Sequence, residues 1–417
     1  MNIKEKLRNL HKTTPFVSSS QIATSERFNQ IAAALEGELL HTEKGSIIRV
    51  TSKVGYSEKM QDATLHETRK IKGQSAAILS KKKVDHGFSF ESALFIDTET
   101  TGLSGSSGTY AFLVGIGYFK ENNFCVEQLF MPGLGHESAL LSYLEGLISN
   151  STGIVTFNGK SYDIPLLTAR FIQNRMRPTI DLLQHFDVLH AARRIWKNDF
   201  GNCSLINLEQ NLLQIHREGD IPGEEIPAIY RDYLRSFETD QLSKVIYHNK
   251  MDIITMATLI GVLNATIDEH HPQFPLQNHL SMRVVNLFQS TNESQKAIER
   301  IQALLEQDQL NKQEKSEHYY NLGMLHKRAQ NWESAEKSWL ASLNEGLFSI
   351  PPAIELAKYY EHKVKDLKKA LNLTTRCMEF ITIRSELGKK FDEELVFGLK
   401  KRKSRLELKI NKGIVDD

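Results

Sequence analysis

The chain has 417 residues, 40% of them hydrophobic and 25% charged, with a formal net charge of +1. That length suits about two or three domains, and the charge balance excludes a strongly basic or acidic field over the whole molecule, although a local basic groove for nucleic acid needs none. Cys125, Cys203 and Cys377 form no CxxC pair, which speaks against a cysteine-based zinc site and suits a reducing compartment.

The N-terminal stretch MNIKEKLRNLHK carries charge with no apolar core after it, unlike a secretory signal. No uninterrupted apolar run nears the roughly 18 residues of a membrane span, so the expectation is a cytoplasmic protein with no membrane partner. Residues 1–88 are polar, with short β-prone pieces such as Ser46–Thr51 and a lysine stretch, Lys81–Lys83. They read as an N-terminal extension with no assigned chemistry.

From residue 89 the pattern changes. Ala93–Asp97, Tyr110–Phe119 and Phe124–Met131 are strand-like runs rich in aromatic and β-branched residues, and Pro132 and Gly133 stop the third. Leu140, Leu141, Leu144 and Leu147 predict a helix over His136–Ile148. Gly153–Phe157 is a short apolar strand before a turn at Asn158–Gly159; helices follow, then a strand ending near Val188, and a last helix over about Asp240–Leu263. Strands and helices in this order predict an α/β domain over 89–267, a mixed sheet flanked by helices.

Residues 268–277, DEHHPQFPLQ, break the pattern with two prolines and read as a solvated boundary, His270 and His271 included. Beyond them, over 268–417, Tyr319, Leu322, Gly323, His326, Ala335 and Trp339 follow tetratricopeptide spacing. A second copy starts 34 residues on, with Ala353, Leu356, Ala357 and Tyr360, and its Ala370 falls one residue late. Ala297 and Ile301 suggest part of a further unit. The prediction is an all-α repeat domain, fit to bind a protein partner or to pack on the first domain. Its tail, Leu399–Ile410, is basic through Lys400, Lys401, Arg402, Lys403, Arg405 and Lys409. It reads as a solvated helix end, with nucleic-acid contact as the alternative.

The chemistry starts in "ALFIDTETTGLSGSSGTYAFLVG", 93–115. Residues i and i+2 of a strand share a face, so Asp97 and Glu99 project together, and two such close carboxylates need protonation or cations. Hard oxygen ligands on a rigid strand suit Mg²⁺ or Mn²⁺; the bland alternative is a pair of exposed strand-end acids. Asp163, in "TFNGKSYDIPLL", lies near a helix start, where a capping role would also explain it. Asp252, in "YHNKMDIITMATL", lies on a core-packed helix with His248 one turn before it, and a buried acid is costly unless paired or metal-bound.

These three segments resemble the three motifs of the DEDD exonuclease superfamily of ribonuclease-H-like nucleases. DTETTGLSGSSGTYAFLVGIGYF, VTFNGKSYDIPLLTARF, FDVLHAARRIW, CSLINLEQNLL, DIPGEEIP and HNKMD resemble, more narrowly, the YprB-type bacterial family. The resemblance implies a ribonuclease-H-like fold, a tetratricopeptide-like C-terminus, and two divalent cations held by Asp97, Glu99, Asp163 and Asp252. It implies 3′–5′ hydrolysis of single-stranded RNA or DNA by a two-metal mechanism.

In the superfamily's third motif a histidine stands five residues before the last aspartate, or a tyrosine four before it. Here Tyr247 stands five before and His248 four before, so type and spacing are crossed. His248 is taken as the catalytic base, its ordinary pKa of about 6.5 suiting the task, with Tyr247 in reserve. The crossing also opens an alternative, a nucleic-acid-binding or scaffold protein on a weakened nuclease fold. Asp187 reads as a support to the site or a helix cap, Arg193 and Arg194 as a solvated face or phosphate ligands, Asn158 as a turn former and Trp196 as core. GIG at 115–117 lacks the third glycine of a dinucleotide loop.

Overall fold

The computed structural model describes residues 19–55, 59–60, 63–102, 108–268, 278–307, 310–346 and 348–413. The glycine- and serine-containing segment 103–107 and the stretch 269–277, with His270 and His271, lie outside them. The chain divides into two compact units, residues 1–274 and 275–417.

The first unit is built on one seven-stranded mixed sheet. Its strands are β1 (Glu38–Thr42), β2 (Gly45–Gly55), β3 (Ala93–Thr100), β4 (Ala111–Lys120), β5 (Asn123–Phe130), β6 (Gly153–Thr156) and β7 (Gln184–Asp187). The spatial order is β1-β2-β5-β4-β3-β6-β7, antiparallel from β1 through β3 and parallel from β3 through β7. The ribonuclease-H-like sheet expected from the sequence is therefore present. The segment read as an extension adds two strands to it, with β2 paired along β5 from Ile48↔Phe130 to Gly55↔Asn123.

Among the described residues, the longer helices of this unit are α1 (Ser19–Ala34), α2 (Gly73–Ser80), α3 (Glu137–Ile148), α4 (Asp163–Gln173), α5 (Val188–Phe200), α6 (Ile226–Ser236) and α7 (Asp240–Ile267). Leu94 and Ile96 of β3 join a core with Leu140 and Leu144 of α3, Leu167 and Phe171 of α4, and Tyr230 and Tyr233 of α6. Phe95 alternates to the other face and meets Phe119 and Phe124 edge-on.

α7 packs on that second face, and two glycines of β4 let it approach. A Cβ on Gly115 would stand 2.2 Å from Asn249 Oδ1, and one on Gly117 would stand 2.6 Å from an Ile253 methyl. This close approach is the structural use of the GIG triplet. By length and composition alone α7 could cross a membrane, yet 78% of its most apolar window is buried inside the unit; its all-round apolar surface is that of a core helix.

In the second unit, α8 (Asn278–Ser290), α9 (Ser294–Leu305), α10 (Lys312–Arg328), α11 (Trp332–Asn344), α12 (Ile350–Tyr359), α13 (Leu367–Glu386) and α14 (Glu393–Asn411) follow one another on short connections and pack neighbour on neighbour. Gly323 admits the fully buried Trp339 ring, which would stand 2.4 Å from an added Cβ. The late Ala370 has a local cause: a π-helical turn, Tyr360–Val364, extends α12 and absorbs one extra residue before α13. The basic tail is not wholly solvated, because Arg402 and Arg405 both bind the buried Glu361 carboxylate.

Candidate active site

β3 ends in a register shift between Glu99 and Thr100. Its pairing with β6 stops at Phe95, so Asp97 and Glu99 project from the strand just beyond its parallel neighbour. Asp97 sits opposite Gly115, and the space left by that glycine is filled by the wholly buried Asn249. Asn249 Nδ2 donates to Asp97 Oδ2 at 2.8 Å, while its Oδ1 accepts from Gln128 Nε2 at 2.9 Å.

Asp163 opens α4 and reaches the same strand end from the other side. Thr98, which alternates away from Asp97 and Glu99, donates to Asp163 Oδ1 through its backbone N–H at 3.1 Å and its hydroxyl at 2.5 Å. Asp252 comes from α7, one turn after His248. Three distant segments thus deliver four carboxylates within electrostatic reach of one another.

Their protonation reflects that crowding. Burial, then the charges of Asp252 and Asp163, push the Asp97 carboxyl well above its ordinary value. Glu99 is raised well above its ordinary value by burial and then by Asp97, Asp252 and Asp163. Asp163 rises to about 6, chiefly through burial, against the pull of its Thr98 hydrogen bonds. Asp252 is raised by burial and partly restored by His248 and Arg217. Acids so raised are short of countercharge for their number.

The donor set, four oxygen carboxylates, fits hard divalent cations. Asp252 Oδ1 is also buried without an aligned hydrogen-bond donor, though Arg217 Nη2 lies 2.7 Å away as an ion-pair partner. Among the described residues, however, no three His, Cys, Asp or Glu side chains stand together as a ready ligand set. Thr98 holds Asp163, Asn249 holds Asp97 and Arg217 faces Asp252, so the carboxylates are drawn toward separate partners.

The crossed third motif divides cleanly in space. His248 is buried, its Nδ1 2.9 Å from Asp220 Oδ1 and its Nε2 3.6 Å from Asp252 Oδ2. Tyr247 instead lines a cavity of about 240 Å³ with Val50, Ser52 and Lys250. Of the four acids the imidazole faces Asp252, while the phenol lines that other cavity.

Sequence reasoning missed the frame behind this histidine. The Arg217 guanidinium grips Glu209, with Nη2–Oε2 at 2.7 Å, reaches Asp220 at 3.2 Å and also faces Asp252. Arg217 and Asp220 are spaced three apart in REGDIP, ahead of α6, where nothing in their spacing points to an acid on α7. Asn249 was equally hidden, although its position inside HNKMD was a signal.

Asp187 was read as a support to the site or a helix cap, and the structure shows the cap. It caps α5 by accepting from Leu189 N at 3.1 Å, and it accepts from Asn158 N and Lys160 N at 3.0 and 3.1 Å. Asn158 takes a positive φ of 68° in the turn that leads to Asp163. Arg194 donates to Leu79 O, Arg193 is exposed, and Trp196 is core.

Residues 94–264 match the family model of the RNase_H superfamily. Over 306 residues the chain is 32% identical to YprB of Bacillus subtilis (strain 168), a protein described as uncharacterized, and the match covers 72% of each chain.

Proposed function

We propose that this chain, which belongs to the YprB family and carries a domain of the RNase H superfamily, is a divalent-metal-dependent exonuclease that hydrolyses phosphodiester bonds of single-stranded RNA or DNA from the 3′ end. The carrying observation is the gathering of Asp97, Glu99, Asp163 and Asp252 from three separated segments, each raised in pKa, with the ring of His248 turned toward Asp252.

Those four carboxylates would hold two Mg²⁺ or Mn²⁺ ions, whose bound charge would stabilise the developing negative charge at phosphorus. The protein's own residues do the rest. Asp220 accepts a hydrogen bond from His248 Nδ1–H, which leaves Nε2 as the lone-pair nitrogen facing Asp252. In that tautomer His248 takes a proton from an attacking water, and the Asp220 carboxylate stabilises the imidazolium that results. Asn249 keeps Asp97 oriented while the acid is ionised. Polarity and the single-strand preference rest on the superfamily resemblance.

Purified protein with Mn²⁺ or Mg²⁺ should release mononucleotides from a labelled single strand, and Asp97→Ala should abolish release. Undiminished release by that variant would sink the reading. A blocked 3′ end should stop an exonuclease and spare an endonuclease.

A second reading, a binding protein on a weakened nuclease fold, draws on the Arg217–Asp252 ion pair and the dispersed carboxylates. Retained oligonucleotide binding with no turnover under any divalent ion would favour it.

A further inference from the structure

Beside the acids, on the β7 side, lies a cluster of opposite sign. Lys160 is half-buried in the turn three residues before Asp163. Burial disfavours its charged form, Asp187 restores part of it, and the nearby cations Lys83 and Arg194 disfavour it again. His185 and His190 belong to the same group: Lys160 and His190 both help to hold His185 neutral, and His190 Nε2 is 4.0 Å from Asp187 Oδ2.

Amid these groups Asp187 is buried and accepts three backbone N–H bonds, from Asn158, Lys160 and Leu189. Asp85, two residues after Lys83, turns its Oδ1 to Gly87 N. Among the described residues no carboxylate forms an ion pair with Lys83 or Lys160, whereas Arg194 is engaged by Leu79 O.

The Lys81–Lys83 loop is set in place at both ends. Arg194 of α5 binds the last turn of α2 at Leu79 O, and Gln184 of β7 accepts from Asp85 N at 2.8 Å. Cations crowded together at a structured rim cost free energy unless an anion meets them, and a nucleic-acid backbone supplies anions at a regular spacing.

We propose that Lys160 and Lys83 form a phosphate track that binds the backbone of a single strand whose end lies at the acid cluster. The track rests on the nuclease reading, since it gives that reaction its substrate grip. It draws affinity from phosphate rather than base, so it should discriminate little among sequences.

The test is fluorescence anisotropy of a fluorescein-labelled oligothymidylate in EDTA, titrated at several KCl concentrations. The wild-type chain should bind with marked salt dependence. Lys83→Ala/Lys160→Ala should weaken binding on the order of tenfold and lower the slope of log K against log salt by about 1.4, two single-strand phosphate contacts' worth. Lys160→Arg should restore most of the loss, Lys83→Ala alone tests an exposed position that folding does not need, and Lys337→Ala in the second unit should change nothing.

Unaltered affinity and slope in the double variant would overturn the track. The nuclease reading would then still stand if wild-type protein cleaves with Mn²⁺ and Asp97→Ala does not. Absence of any wild-type binding would also overturn the track, and absence of cleavage as well would remove both.

Discussion

At the scale of single residues, the site's logic is a surplus of carboxylate, with Arg217 paired to Asp252 but not to the other three acids among the described residues. An acid whose folded pKa lies above its unfolded value is protonated more in the native state. Its native state is therefore favoured at low pH and loses that advantage as pH rises from the unfolded to the folded pKa. For Asp163 the window runs from 3.8 to about 6. Metal-free protein should accordingly lose melting temperature across that window. Asp97→Asn, which removes a carboxylate raised well above its ordinary value, should gain stability at neutral pH while losing activity. Calorimetry with and without Mn²⁺ checks this, and a lowered melting temperature for the metal-free variant at pH 7 would contradict it. Asp220→Asn removes the carboxylate at 2.9 Å from His248 Nδ1. It should cut turnover by about 10²-fold or more with oligonucleotide affinity little changed, a split that steady-state kinetics resolves. Asp187 could be read in the sequence as a helix cap, but the partners of the site's other polar supports could not. Asn249, Asp220 and Arg217 act by facing groups 28 or more residues away, and spacing encodes no such approach.

At the scale of elements, strands and helices were largely legible because their apolar periods are strong. β3, β4, β5, α3 and α7 fall where hydrophobic runs and leucine spacing place them. How closely elements pack was not legible. Gly115 reads in sequence as a stray glycine in a strand, and only the fold shows that α7 lies against it. Gly115→Ala would set a Cβ 2.2 Å from Asn249 Oδ1. It should cost about 1–3 kcal/mol in urea unfolding and disturb the Asn249–Asp97 bond, so activity should fall further than stability alone explains. In the repeats, the misplaced Ala370 was visible as an irregularity, yet its remedy, the Tyr360–Val364 π turn, is a backbone solution with no residue signature. Asp187→Ala should strip three N–H groups of their acceptor and cost about 1–3 kcal/mol. The turn before Asp163 should loosen, with faster amide exchange at Asn158 and Lys160 as the readout.

At the scale of the whole molecule, the two units have separate cores, and every residue assigned to the site lies in the first. A fragment ending at Asp268 should therefore keep metal-dependent cleavage within about tenfold of the full chain; complete loss in a folded fragment would show that the repeats complete the site. The sequence by itself determined the fold class and the order of its elements, because periodicity is a local property of the chain, and through motif resemblance it offered the four acids and His248 as candidates. Tertiary structure alone decided that residues 38–55 extend the sheet and that His248 rather than Tyr247 faces the acids. It alone set Arg217 between Glu209, Asp220 and Asp252. Which way a side chain turns, and which distant charge it meets, depends on how helices seat on the sheet, and that seating is a property of packing that no stretch of sequence carries alone.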